Sequence, residues 1–108
     1  MTDYTIIKTT FPDKDSAKSA AKLIVERRLA ACVQLLPIES VYSWQGEICD
    51  ESEVLLLIKT RAERFGEVAE FIKQIHTYEV PEIVQVPIVG GLGEYLLWID
   101  DCTNYEGE

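Results

Sequence analysis

Apolar residues along this chain recur at two different spacings, and the points where one gives way to the other mark the elements. Tyr4 to Thr10 carries Ile6, Ile7 and β-branched threonines and is closed by Phe11-Pro12-Asp13, the pattern of a first strand. From Ser16 to about Arg28 the spacing lengthens. Ala17, Ala20, Ala21 and Ile24 fall on one stripe while Lys18, Lys22 and Glu26 fall elsewhere, which predicts an amphipathic helix with Asp13 or Asp15 as its cap. Ala31 to Trp44 returns to strand character, and Gln45-Gly46-Glu47 supplies a turn. Ile48 to Thr60 then comes back through Val54-Leu55-Leu56-Leu57-Ile58, an apolar run that predicts a strand buried on both faces. Thr60-Arg61-Ala62-Glu63 has the T-x-x-E form of a capping box and predicts that a second helix starts there. Its stripe of Phe65, Val68, Ala69, Ile72 and Ile75 runs to about His76, and Pro81 bars any continuation. Ile83 to Val89 reads as the last strand, with Pro87 assigning it to a sheet edge or a bulge. After Gly90-Gly91-Leu92-Gly93, Glu94 to Asp101 predicts a short amphipathic helix, and the acidic tail to Glu108 is expected to fray.

Strand, helix, strand, strand, helix, strand is the order of a split βαβ unit, so the expected class is α+β with a ferredoxin-like sheet, in one domain over residues 1–108. The hairpin sets a length problem. Strands of fourteen residues would run about 46 Å unbroken, whereas a compact domain of this size is roughly 34 Å across, from a radius of gyration near 13 Å. The hairpin should therefore overhang its own helices, and Val41, Tyr42, Trp44 and Ile48 make the overhang apolar. Such a projection is normally covered by another subunit, so Tyr42, Trp44 and Ile48 are the expected interface residues of a homo-oligomer. The alternative is that Pro37 breaks the first hairpin strand and folds its far half back onto the core.

Charge narrows the partners. Ten Lys plus Arg stand against nineteen Asp plus Glu, a formal charge of -9, which repels phosphate backbones and anionic lipid headgroups; neither nucleic acid nor membrane is an expected partner. No apolar run approaches the roughly eighteen residues of a bilayer span, and MTDYTIIKTT lacks a charged segment followed by an apolar one, so the chain is read as cytoplasmic. Cys32, Cys49 and Cys102 have no CxxC spacing and read as reduced thiols.

Five stretches in order carry a resemblance that spans nearly the whole chain: Leu29-Ala30-Ala31-Cys32-Val33; Ser40-Val41-Tyr42-Ser43-Trp44-Gln45-Gly46; Glu53 leading to Lys59-Thr60; His76-Thr77-Tyr78 with Pro81-Glu82-Ile83; and Tyr95-Leu96-Leu97-Trp98. The chain resembles the divalent-cation tolerance protein family, CutA. The resemblance implies a homotrimer of ferredoxin-like subunits whose long hairpins extend neighbouring sheets, and it implies binding of copper or other divalent cations. Some bacterial members use a cysteine near the end of the first strand and two adjacent histidines after the second helix as proposed copper ligands. Here Thr9 stands for the cysteine and Ile75 for the first histidine, leaving His76. The resemblance further implies that Glu82 shares an intersubunit cleft with His76, Lys59, Glu53 and Trp44.

Read by themselves, these residues admit two roles each. His76 sits at a helix end, where an imidazole serves as a cap as readily as a ligand. As the only imidazole, it is expected to govern whatever weak copper or zinc affinity exists, with Glu82 and Glu53 as further ligands and no obligatory cofactor. Lys59, at the end of the apolar run, needs a carboxylate such as Glu53 or Glu82, or else anchors an anionic ligand in a cleft with Tyr78 and Trp44. Tyr95 and Trp98 are expected to fasten the last helix, Asp50-Glu51-Ser52-Glu53 to form a solvated turn, and Glu79 to be solvated. No GxSxG, GxxxxGK[ST], HExxH or GxGxxG motif is present, so no catalysis is expected. The rival readings are a PII-like trimer binding a small anionic metabolite, with Lys59 as anchor, and an assembly or scaffold module.

Overall fold

The computed structural model describes residues 3–104. Four strands, β1 (Tyr4–Phe11), β2 (Cys32–Trp44), β3 (Glu47–Arg61) and β4 (Val84–Ile88), form one antiparallel sheet in the order β2-β3-β1-β4. Two helices, α1 (Lys14–Glu26) and α2 (Phe65–Ile75), pack on one face, and α3 (Gly93–Cys102) follows β4. This is the expected α+β ferredoxin-like arrangement. Alternation along β1 and β3 sends Ile7, Phe11, Leu56 and Ile58 toward α1 and α2, where they meet Ala17, Ala20, Ile24, Val68 and Ile72. Small alanines on α1 let the helix sit close to the sheet, against the larger Ile, Leu and Phe side chains of the strands and α2.

Asp13 is the cap that forms on α1. Its Oδ1 accepts the Ser16 amide at 2.8 Å, which holds the carboxyl below its ordinary range and leaves Asp15 in the first turn. The helix stops at Glu26, two residues earlier than its periodicity suggested. Arg28 takes φ 59°, Leu29 N–H reaches Ile24 O, and Arg28 N–H reaches Val25 O, the double closure of a Schellman motif.

The hairpin overhangs as its length required. The long axis measures 46 Å, against 26 and 21 Å for the other two, and the radius of gyration of 14.5 Å exceeds the roughly 13 Å of a compact chain. Pro37 does not break β2. It pairs with Val54 on a strand that has only one neighbour, where a missing N–H costs no ladder bond. Pro87 likewise lies on the other edge strand, opposite Thr5. The turn is two residues, Gln45 and Gly46 at φ 51° and 80°, both in the left-handed region favoured by the twist of a tight hairpin; Glu47 belongs to β3.

Three expectations are corrected. β3 is not buried on both faces of one subunit: Leu56 and Ile58 are buried, while Leu55 and Leu57 are half-exposed on the face that α1 and α2 leave open. No capping box forms at Thr60. Its hydroxyl donates to Leu29 O at 2.7 Å, and pairing of Thr60 with Thr5 and of Arg61 with Tyr4 carries β3 to Arg61, so a 3₁₀ turn at Ala62–Arg64 precedes α2. Tyr95 and Trp98 are not the main fastening of α3: they remain 38% and 42% exposed, and of the two Tyr95 reaches the sheet, through Lys59. Most of the fastening is done by buried Ile99, by the Tyr4 hydroxyl donating to Asp100 Oδ2 at 2.7 Å, and by Arg61 and Arg64, which converge on Thr103. The order of the chain therefore extends past Asp101 to buried Thr103, and residues 105–108 of the expected frayed tail lie outside the described residues.

Candidate functional site

The site is built where the overhanging hairpin faces the loop after α2. His76 caps α2, its N–H returning to Ile72 O, and its extended backbone turns the chain across the end of β1. The imidazole is held on three sides. Its ring stacks on Phe11 with centroids 4.4 Å apart, Nε2 donates to Thr10 O at 2.5 Å, and Nδ1 accepts the Tyr78 amide at 3.1 Å. A carbonyl partner requires a hydrogen on Nε2 and an amide partner requires a lone pair on Nδ1, so the contacts assign the neutral Nε2–H tautomer. Both nitrogens are in use.

That arrangement aims Tyr78 at β3. Its hydroxyl donates to Glu53 Oε2 at 2.9 Å, and Glu53 is 9% exposed. Around this pair opens a cavity of ≈ 690 Å³. Its floor is Thr10 and Glu53; the hairpin contributes Glu39 to Tyr42 together with Trp44, and the loop contributes Tyr78, Glu79, Val80 and Glu82. The structure thus brings together Glu53, Glu82, Tyr78, Trp44 and Tyr42 from the expected set, and adds Glu79. His76 supports the wall without lining it. Ile48 is 76% exposed near the hairpin tip and belongs to the overhang alone.

Lys59 stands elsewhere. It shares a sheet face with Glu53, six residues and thus about 20 Å further along β3. Its Nζ donates to Tyr95 Oη at 3.4 Å and lies 5.5 Å from the centre of that ring. The expected partnership with Glu53 or Glu82 is not made within one subunit. Thr9 is fully buried, and its hydroxyl has no partner among the described residues. The three cysteines are half-buried free thiols on different parts of the fold. Asp50 to Glu53 is strand rather than turn, so alternation separates Glu51 and Glu53 from Asp50 and Ser52.

Glu39, Ser40 and Thr10 were not anticipated as lining residues. The signal for the first two was the turn: a two-residue Gln45-Gly46 loop sets Ile38 opposite Glu53, which brings Glu39 and Ser40 beside the carboxylate. Thr10 carried no such signal, because β1 meets the hairpin only through the sheet order.

Hydrogen bonds to carboxylates shape the phenols. Glu51 accepts from Tyr42 and pushes that phenol up from 10.0 to about 12; Asp100 does the same for Tyr4, also to about 12; burial, reinforced by Glu53, raises Tyr78 further still. Each phenol holds its proton longer in the folded state than in the unfolded one. The resulting stabilisation is complete below pH 10 and is lost as pH climbs through about 12. We expect the urea midpoint to fall across that window in step with tyrosinate absorbance, and a Tyr4→Phe, Tyr42→Phe, Tyr78→Phe triple variant to flatten the fall. A midpoint that stays level in the native chain would show the phenols to be uncoupled from folding.

Residues 5–102 match the family model described as CutA1 divalent ion tolerance protein. The chain belongs to this family. It is 44% identical over 100 residues to the divalent-cation tolerance protein CutA of Thermus thermophilus, covering 92% of this chain and 97% of that protein. To the chloroplastic CutA of Arabidopsis thaliana it is 41% identical over 100 residues, and it spans about half of that longer protein, 55%. The solved structure of the periplasmic CutA from Archaeoglobus fulgidus superposes with a TM-score of 0.92 at 40% identity, covering 94% of this chain and 99% of that one. The CutA fold, with its four-stranded antiparallel sheet and three helices, is thus the fold of this chain. The compartments named for these CutA relatives differ, chloroplast in one and periplasm in another. Among the described residues no helix is long and apolar enough to cross a membrane.

Proposed function

We propose that this CutA-family chain is a non-catalytic homotrimer that binds copper or other divalent cations weakly in the acidic cavity and acts in divalent-cation tolerance. The observation that carries the reading is Glu53, a buried carboxylate at the floor of a cavity whose other ionisable walls are also acids and tyrosines. A formal charge of -9 concentrates cations around such a cleft. Glu53 and Glu82 are the proposed oxygen donors. His76 contributes by holding Tyr78 and the loop, and it would bind metal directly only on giving up the Tyr78 amide. Among the described residues no three His, Cys, Asp or Glu side chains stand close enough to hold an ion. The coordination is therefore completed by water or by a neighbouring copy, which is why affinity is modest. Trimer formation is supported by the open sheet face and by the exposed hairpin tip, where Val41, Tyr42, Trp44 and Ile48 are each at least 40% exposed.

Titration calorimetry with copper, zinc and manganese on the native chain, Glu53→Gln and His76→Phe tests the donor assignment. We expect Glu53→Gln to weaken binding tenfold or more, about 1.4 kcal/mol, and His76→Phe, which keeps the stack on Phe11, to weaken it less. Native affinity in Glu53→Gln would move the metal out of this cavity. No binding in any form would remove the metal reading.

A further inference from the structure

We infer that the proposed trimer brings its three copies of Lys8 together at the threefold axis and holds a small oxyanion, of the phosphate or sulfate class, between their ammonium groups. The inference rests on the trimer reading given above and adds to it a second site, of opposite charge and away from the acidic cavity. Lys8 lies on β1, one of the two central strands of the sheet, with Leu57 on β3 and Val84 on β4 as its cross-strand partners. Alternation puts it on the face that α1 and α2 leave open, in line with Ile6 and level with Leu57. Leu36, Leu55 and Val86 belong to the same face. Lys8 is thus a half-buried cation at the middle of a largely apolar surface, and it makes no ion pair among the described residues.

Its own subunit gives it no counter-charge. Lys59, opposite Ile6, is a diagonal neighbour across β1 and β3 and carries the same sign. The nearest strand carboxylate on that face is Glu53, which stands four residues from Leu57 along β3, about 13 Å away, and already accepts the Tyr78 hydroxyl. Glu82, in the loop before β4, lines the acidic cavity instead. An isolated subunit tolerates this arrangement, because the ammonium reaches water. Assembly changes it. A closed trimer covers one broad face of each copy with the other two by turning all three faces toward the axis. Residues at the centre of the face then meet their own equivalents rather than the hairpin tips, so three ammonium groups converge where apolar surroundings weaken screening. Like charges there oppose assembly until an anion supplies acceptors to all three, and a tetrahedral oxyanion has both the charge and the oxygens to do so. The net charge of -9 works against anion binding on the outer surface, whereas a ring of three donors acts locally.

Titration calorimetry with sodium phosphate and, separately, sodium sulfate at constant ionic strength tests this, with sodium chloride as the blank and sedimentation equilibrium to follow assembly. The expected result is saturable binding of one oxyanion per three chains, weakened about tenfold or more in Lys8→Met, which keeps an unbranched stem and needs no counter-charge. Lys8→Met should also raise the urea midpoint of the anion-free protein, since it removes the mutual repulsion. Lys22→Met, at an exposed position on α1, should leave both readings unchanged. Binding of one ion per chain, binding indifferent to Lys8→Met, or no binding by a chain that is trimeric overturns the inference alone. A midpoint lowered by Lys8→Met, with no anion bound, overturns it by assigning Lys8 to a carboxylate of the neighbouring copy. A native chain that sediments as a monomer with and without phosphate overturns the trimer reading and the inference together.

Discussion

Leu36→Asp is expected to yield a folded chain that sediments as a 12.3 kDa monomer, against the trimer proposed for the native chain. Leu36 lies on β2 opposite Leu55, on the sheet face that α1 and α2 do not cover, and it is 46% exposed in the single subunit. Ile6, Ile38, Leu55 and Leu57 share that face and are only half-buried, so one subunit leaves a broad apolar surface in water. Within the monomer an aspartate at position 36 keeps access to solvent and costs little. Within an assembly the same carboxylate would be buried without a partner, a penalty of about 3 kcal/mol or more per copy, and each copy of a trimer contributes one. Sedimentation equilibrium at micromolar protein, with circular dichroism to show the fold intact, separates the two effects. Leu36→Met should still assemble, because it preserves volume and polarity. A Leu36→Asp chain that remains trimeric would mean that this face is not the interface, and that the hairpin tip carries assembly alone.

Arg64→Ala is expected to cost about 3 to 5 kcal/mol of folding stability, the largest effect of any single truncation considered for this fold. Arg64 is 1% exposed, which for a guanidinium demands a full set of acceptors. Its Nε and Nη2 donate to Thr103 O at 3.2 and 2.5 Å, and its Nη1 pairs with Glu67 at 3.2 Å. Arg61 Nη2 donates to the same carbonyl at 2.6 Å, and Arg61 Nε donates to the Thr103 hydroxyl at 3.0 Å. These bonds tie the end of α3 to the turn before α2, across 39 residues of sequence. Truncation takes two donors from the carbonyl of buried Thr103 and leaves a void the size of the side chain. Arg64→Lys should recover little, since an ammonium cannot present two parallel donors to one carbonyl while also reaching Glu67. Urea midpoints at fixed protomer concentration measure both variants, the fixed concentration being needed because the proposed assembly would add to apparent stability. A loss under about 1 kcal/mol for Arg64→Ala would show that α3 docks through Ile99 and Tyr4 instead.

Local periodicity, turn chemistry and chain length, all read from the sequence, account for the four strands, the helices, their order, the overhang of the hairpin and the family. They do so because each depends on neighbours within a few residues or on simple dimensions: Ala17 to Ile24 makes one helical face wherever the helix docks, and two strands of this length cannot fit beneath two short helices. The acids and rings of the site were also legible as residues, Glu53, Glu82, Tyr78 and Trp44 among them. Only the tertiary structure decided which of them meet. Thr60 had the local sequence of a helix cap and became a strand residue instead, because it pairs with Thr5 in the sheet and its buried hydroxyl donates to Leu29 O. Lys59 and Glu53 lie six residues apart in sequence, yet the extended strand that carries both holds them about 20 Å apart. His76 had the chemistry of a ligand, and its two nitrogens were committed by Thr10 O and the Tyr78 amide, groups that only the docking of a loop onto the end of β1 brings within reach.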